Sequence, residues 1–184
     1  MDGSLVLWDA TSGRDRILSK PGAAVLASVF ISDYEFLAAN ADGTIAFWSV
    51  TTGKQQRVVA GDQGVEEILF ASFSKDGKLS ASSTGNRVVE VHRSLDGKLV
   101  RTLASHAASF FSIAVSRDGR WLAAGANDRT IRLWQVATGR EIPKLSGHTG
   151  WVTAVAFSPD SHWLASGSNS GEVKLWGTNG GREV

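Results

Sequence analysis

Histidine is the side chain best suited to proton transfer or metal binding near neutral pH, and this 184-residue chain has four: His92, His106, His148 and His162. A serine, a histidine and an aspartate brought together would supply the parts of an acyl-transfer site, so hydrolase chemistry is the first class to weigh. The histidines, however, fall at recurring positions of a sequence repeat or in turns. No His or carboxylate cluster has metal-ligand spacing, and no Gly-rich phosphate loop occurs. No catalytic residue, metal ligand or cofactor is assigned. With no cysteine, there is neither thiolate chemistry nor a disulfide framework.

The elements that must position these residues follow from a repeat. Five segments align without gaps: "DGSLVLWDATSGR" from Asp2, "DGTIAFWSVTTGK" from Asp42, "NRVVEVHRSLDGK" from Asn86, "DRTIRLWQVATGR" from Asp128 and "SGEVKLWGTNGGR" from Ser170. The aromatic slot holds Trp8, Trp48, His92, Trp134 and Trp176, so the period is near 42 residues (Trp134 to Trp176). Within one period "WVTAVAFS" is apolar at most positions, "SPDS" supplies a reversal, "HWLASGS" returns, and "EVKLW" alternates after a short turn. A more polar fourth strand, "TGREIPKLS", completes the longer copies. Four short antiparallel strands per period describe one blade of a β-propeller, an all-β fold.

The joint spacing of Gly-His, Ser-Pro-Asp, Leu-Ala-Ser-Gly and Leu-Trp in "LSGHTGWVTAVAFSPDSHWLASGSNSGEVKLW" resembles the WD-repeat β-propeller family over nearly all of the chain. The resemblance implies a single propeller segment over 1–184, with blade one partial at 1–19, blades two to four at 20–60, 61–104 and 105–146, and blade five partial at 147–184 with three strands. It also implies a brace in each blade, in which His, a Ser or Thr on the second strand, an Asp before the third strand and the Trp indole are hydrogen bonded together. Mapped onto this chain, the brace comprises His148, Ser166 and Trp176 in blade five, with Ser170 at the Asp slot and Asn169 beside it. Blade four has His106, Asp128 and Trp134 with Ala124 at the hydroxyl slot; blade two has Asp42 and Trp48 with Ala38 there. Blade three keeps Ser82 but has Asn86 for Asp, His92 for Trp and the longer entry "AGDQGVEE" in place of Gly-His, so it is expected to be the loosest copy, with "GDQGVEE" its likeliest deviation.

A second series, Phe36, Leu79, Trp121 and Trp163, lies three residues after Asp33, Asp76, Asp118 and Asp160 and is expected to fill space between blades. Loop positions on the narrower top face, Trp151, Ser109, Asn127, Asn169, Glu67 and Ala41, are the candidate partner-binding surface.

A formal charge of +1 gives no global pull toward nucleic acid or anionic lipid. Lys20, Lys54, Arg57, Lys98, Arg101, Arg140 and Lys144 near the fourth strands read as a solvated outer edge, with nucleic-acid binding as the alternative. The apolar runs fall short of a membrane span, and "MDGSLVLWD" lacks the pattern of a secretory signal, so a cytoplasmic setting is expected. The function the resemblance implies is a non-catalytic scaffold for protein partners or for neighbouring domains of a parent protein, with a hydrolase or lyase whose site lies in the central channel as the alternative. Beginning and ending within blades, the chain reads as a piece of a longer propeller; self-association through open blade edges, two copies forming an eight-bladed ring, is the alternative.

Overall fold

A computed structural model of the chain describes residues 5–18, 24–59, 68–84, 88–104 and 108–184. The alternating segments form seventeen strands among the described residues, paired antiparallel in five sheets. The first sheet holds β1 (Val6–Trp8) and β2 (Asp15–Ile17). The second runs β3 (Val25–Phe30), β4 (Glu35–Asn40), β5 (Ile45–Ser49) and β6 (Gln55–Val59). The third runs β7 (Ile68–Phe73), β8 (Leu79–Thr84), β9 (Val88–Arg93) and β10 (Leu99–Ala104). The fourth runs β11 (Phe110–Val115), β12 (Trp121–Ala126), β13 (Thr130–Gln135) and β14 (Arg140–Ser146). The fifth holds β15 (Val152–Phe157), β16 (Trp163–Ser168) and β17 (Val173–Gly177). First strands touch first strands, β3 against β7, β7 against β11 and β11 against β15, so the sheets stack as successive blades.

Stacking explains the burial pattern. Strands β4 and β5 are covered on both faces and nearly every residue is buried, whereas outer β6 is mostly exposed. The core is four interblade layers. Leu18 meets Phe36 and Trp48 between blades one and two; Leu37, Ile45 and Phe47 meet Phe73 between two and three. Val89, Val91 and Leu103 meet Leu122 and Trp134 between three and four; Ile131, Leu133 and Leu145 meet Leu164 and Trp176 between four and five. Small residues on the second strands set the spacing: a Cβ at Gly125 would lie 2.8 Å from the Val152 carbonyl oxygen, so even Ala there would push blades four and five apart.

The hairpin between first and second strands repeats one device. The Ser74 hydroxyl donates to Asp76 at 2.7 Å and accepts the Leu79 N–H at 3.0 Å; Ser116 with Asp118 and Trp121, and Ser158 with Asp160 and Trp163, do the same. Gly77 and Gly119 take the left-handed conformation this turn needs, and Ser161 takes it at φ 62° in blade five.

Blade two departs here, and the departure changes which interblade layer Phe36 fills. Its hairpin is one residue shorter, closed by Ile31 N–H to Glu35 O, where the others close Ser74 to Leu79 and Ser116 to Trp121. A one-residue change turns a strand side chain to the opposite face. Phe36 therefore pairs with Trp48, as Ser80 pairs with His92, Leu122 with Trp134 and Leu164 with Trp176, and its ring stacks on Trp48 at 6.2 Å. Leu79 and Trp121 do pack against interblade layers, but Trp163 is 40% exposed because it lies on the outer side of blade five.

The three-strand reading of blade five agrees with the fifth sheet, and isolated contacts follow its last strand. Beyond β17, Glu183 bridges Trp176, Gly177 N–H donates to Arg182 O at 2.9 Å, and Val184 N–H donates to Leu175 O at 3.0 Å. This isolated bridge lies along the outer edge of β17 and is pinned by Lys174 and Glu183 at 2.5 Å.

An unexpected link ties blades at their outer edges. Arg16 donates to the Thr51 carbonyl at 2.9 Å, Arg57 to Leu95 at 3.2 Å and Arg101 to Ala137 at 2.7 Å. Each acceptor lies two residues beyond its third strand, so the same contact recurs across three interfaces. Arg57 also covers the Phe47 ring at 3.7 Å. Two of the basic residues considered for a nucleic-acid rim are thus committed to holding blades together. Lys20 lies outside the described residues, as does the Lys144 side chain.

Candidate functional site

The chemistry-bearing residues meet in blade five. Loop residue His148 reaches over the sheet, so its Nε2 lies 2.7 Å from Ser166 Oγ on β16 and its Nδ1 3.2 Å from Glu172 Oε2. From the neighbouring strand, Trp176 Nε1 donates to the same Ser166 Oγ at 2.8 Å. The directions follow from valence: an indole N–H only donates, so Ser166 accepts it, turns its own proton to Nε2, and leaves Nδ1–H for the carboxylate. Glu172 also accepts the Thr149 N–H at 2.8 Å and the Ser170 hydroxyl at 3.2 Å. Led by the Thr149 backbone N–H, with the His148 ring and the Thr149 and Ser170 hydroxyls adding, these contacts draw the Glu172 carboxyl down to about 2 against a cost of burial.

Serine, histidine and carboxylate in line have the connectivity of a hydrolase triad, but the setting is that of a brace. Ser166 is 3% exposed, His148 6% and Trp176 2%, and the Ser166 oxygen already receives the indole proton. Among the described residues no group of three or more His, Cys, Asp or Glu is arranged to hold a metal ion.

Glu172 is the member that alignment to Asp slots misses. Asp42 and Asp128 occupy that slot in blades two and four, where each accepts the hydroxyl of Thr44 (2.7 Å) or Thr130 (2.5 Å) two residues later. Blade five reverses the order: Ser170 stands in the acidic slot and Glu172 in the hydroxyl slot, and the bond between them survives with its direction inverted. The longer Glu arm then reaches His148. The sequence trace of this exchange is "SGE" against "DGT" and "DRT".

The other braces are partial. Asp42 also closes its own turn on the Thr44 N–H, and Asp128 pairs with Arg132 at 2.9 Å; among the described contacts neither reaches its blade's Trp. His106 lies outside the described residues. Trp48 is 1% exposed with its Nε1 unpartnered, because Ala38 offers no hydroxyl. Ala38→Ser is therefore expected to raise stability by ~0.5–1.5 kcal/mol, read from urea midpoints, by giving that buried donor an acceptor.

The rim candidates are positioned by one repeated contact. Asn169 N–H donates to Trp151 O at 2.9 Å, Asn127 N–H to Ser109 O at 3.0 Å, and Ala41 N–H to Ala24 O at 2.8 Å. Asn127 Oδ1 also accepts the Ser109 N–H at 3.1 Å, and Ala41 O accepts the Ile68 N–H across the blade boundary at 3.3 Å. Glu67 lies outside the described residues, with the whole "GDQGVEE" loop. Trp151 is 50% exposed and stacks on Phe111 of β11, centroids 5.6 Å apart and planes 24° apart. Phe111 was not singled out in the sequence, since "FF" at Phe110–Phe111 reads as strand filling. Phe110 is buried against Trp134, while alternation turns Phe111 the other way.

Comparison with known proteins agrees with this architecture. The family described as WD domain, G-beta repeat matches residues 97–135 and 139–177. A chain in the crystal structure of a mitotic checkpoint complex is similar in fold over 99% of this chain, with a TM-score of 0.78 and 22% identity. This chain spans 57% of that one's length. The curated proteins give no match. The two matched segments are thus WD repeats of the G-beta type, and blade topology and fold likeness set them within a partial β-propeller.

Proposed function

We propose that the chain is a non-catalytic protein-interaction scaffold whose partner surface centres on the Trp151 and Phe111 pair. The observation that carries the reading is this exposed aromatic stack, held on rigid neighbouring blades at the rim: large, preformed apolar area of this kind anchors protein interfaces at little entropic cost. Asn169, whose N–H donates to Trp151 O, and Ser109 with Asn127, just before Phe111 on its blade, add polar groups of the kind found at an interface margin; Ala41 holds the equivalent rim position on blade two. The mitotic-checkpoint likeness supports a setting among protein partners in general. The burial of His148 and Ser166 weighs against hydrolase or lyase work at the one described Ser-His-carboxylate set, and the engagement of Arg57 and Arg101 weighs against a nucleic-acid rim. A cytoplasmic location, and cover for the open blade faces by further domains or a second copy, belong to the same proposal.

The test is selection of binding peptides from a displayed library against the whole chain, followed by Trp151→Ala. The variant is expected to weaken the selected peptides at least about tenfold, roughly 1.4 kcal/mol, with an unchanged unfolding midpoint. Peptides that bind the variant as tightly as the parent would overturn the assignment of the rim.

A further inference from the structure

The first strands β3, β7, β11 and β15 lie side by side, with the Trp151 rim at one end and the serine hairpins at the other. At the hairpin end they surround an open hollow of about 330 Å³. Each strand contributes one residue to its apolar wall: Val29, Phe73, Val115 and Phe157. The size is at the lower end of the range for ligand-binding hollows, with room for a side chain or two.

Lys75 and Arg117 stand at its edge. They hold the same slot of successive hairpins, between the Ser and the Asp that build each turn. Both are exposed, and among the described residues neither forms an ion pair. The adjacent carboxylates are engaged by the turns themselves. Asp76 accepts the Ser74 hydroxyl at 2.7 Å and the Lys78 N–H at 3.0 Å and pairs with Lys78 Nζ at 3.1 Å. Asp118 accepts the Ser116 hydroxyl at 2.6 Å and the Arg120 N–H at 3.0 Å. Ser158 and Pro159 add no charge, so among the described residues the hollow is lined by two cations and no carboxylate. An apolar wall beside two uncompensated cations is complementary to an apolar side chain flanked by acid groups. The positive stretch is short: Asp33 and Glu35 bound it on blade two and Asp160 on blade five. A long polyanion, whether nucleic acid or an anionic membrane, would meet like charge on both sides, whereas a short acidic segment would not.

We propose that this hollow is a second docking site, which takes a short segment of a protein partner whose apolar side chain enters between Phe73 and Phe157 while neighbouring carboxylates pair with Lys75 and Arg117. It shares the scaffold reading above but not its surface, lying at the opposite ends of the first strands from Trp151.

A pool of capped peptides Gly-Ser-Glu-X-Asp-Ser-Gly, with X being Leu, Ile, Phe or Trp, is titrated into the whole isotopically labelled chain while backbone amide shifts are followed. Saturable shifts centred on Val29, Phe73, Val115 and Phe157 are expected. The same pool with Gln and Asn in place of Glu and Asp is expected to bind about fivefold more weakly or worse, two partly exposed ion pairs being lost. Lys75→Glu combined with Arg117→Glu is expected to keep the unfolding midpoint and abolish the response. Trp151→Ala is expected to leave it unchanged, so failure here and failure of the rim assignment are read separately. Absence of saturable shifts, shifts centred away from the hollow, or equal binding of the amide pool would overturn the proposal on the unmodified chain alone, whatever the folding of the variants. Oligothymidylate or phosphatidylserine vesicles that shift the same residues at lower concentration than the acidic pool would overturn it in favour of a polyanion.

Discussion

Ser166→Ala is expected to lower stability by ~2–4 kcal/mol, far more than one exposed hydroxyl would. The reason is position: one oxygen receives the Trp176 indole at 2.8 Å, and its proton serves His148 Nε2 at 2.7 Å. Removing it leaves two buried polar groups unmatched in a layer where Leu164 and Leu133 are fully covered. Glu172→Gln separates the charged end of the same chain of bonds. With the Glu172 carboxyl at about 2 in the fold against an ordinary 4.5, its contribution is fully present above about pH 4.5 and is lost as pH falls from there toward 2. The stability difference between parent and Glu172→Gln should be constant from neutral pH to about 5 and close between about 4.5 and 2, whereas that for Ser166→Ala should persist. Urea unfolding across that range reads both; a Glu172→Gln difference independent of pH would show that the carboxylate is not the brace's charged member.

Blade order and strand type were legible because they rest on local rules: alternation, turn residues and a period near 42 residues recur in every copy. What alignment could not supply came from exchanges that conserve a contact while moving its atoms. Ser170 and Glu172 trade the roles held by Asp and Thr in blades two and four, so a search for the acidic slot finds a serine and counts a loss. The shortened "SDYE" hairpin moved Phe36 to the opposite face, which is invisible when residues are counted from the turn rather than from the Trp pair. The arginine links were hidden because Arg16, Arg57 and Arg101 look like surface charge until the neighbouring blade brings a carbonyl to them. The Phe111 partner of Trp151 lies on the first strand of the neighbouring blade, and no single copy contains both residues.

The same slot gives opposite outcomes in two copies, and that contrast carries the second large effect. Trp134 and Trp8 occupy identical positions in their repeats, yet Trp134 is 2% exposed and Trp8 66%. Trp134 lies against Leu103, Val91 and Ala81 of blade three, with Phe110 edge-on at 6.0 Å; Trp8 faces away from blade two, on the uncovered side of blade one. Trp134→Ala should cost ~3–5 kcal/mol, since removing a buried indole leaves a cavity between two rigid sheets that cannot close without breaking the Arg101 to Ala137 link. Trp8→Ala should change stability by under ~0.5 kcal/mol. Its effect lies in association. Ile17 at 69% exposure beside Trp8, and Val173 at 80% with Leu175 and Trp163 at 40% on the far side of blade five, are the counterparts of residues that other blades bury against each other. One uncovered face thus presents the incoming tryptophan of an interblade layer and the other presents its receiving wall, the head-to-tail pairing that the proposed cover by a second copy would use. Light scattering across concentration should show the parent associating and Trp8→Ala or Val173→Asp associating less, while Trp134→Ala fails through unfolding instead. Equal association in parent and Trp8→Ala would mean that the interblade rule does not extend to the outer faces.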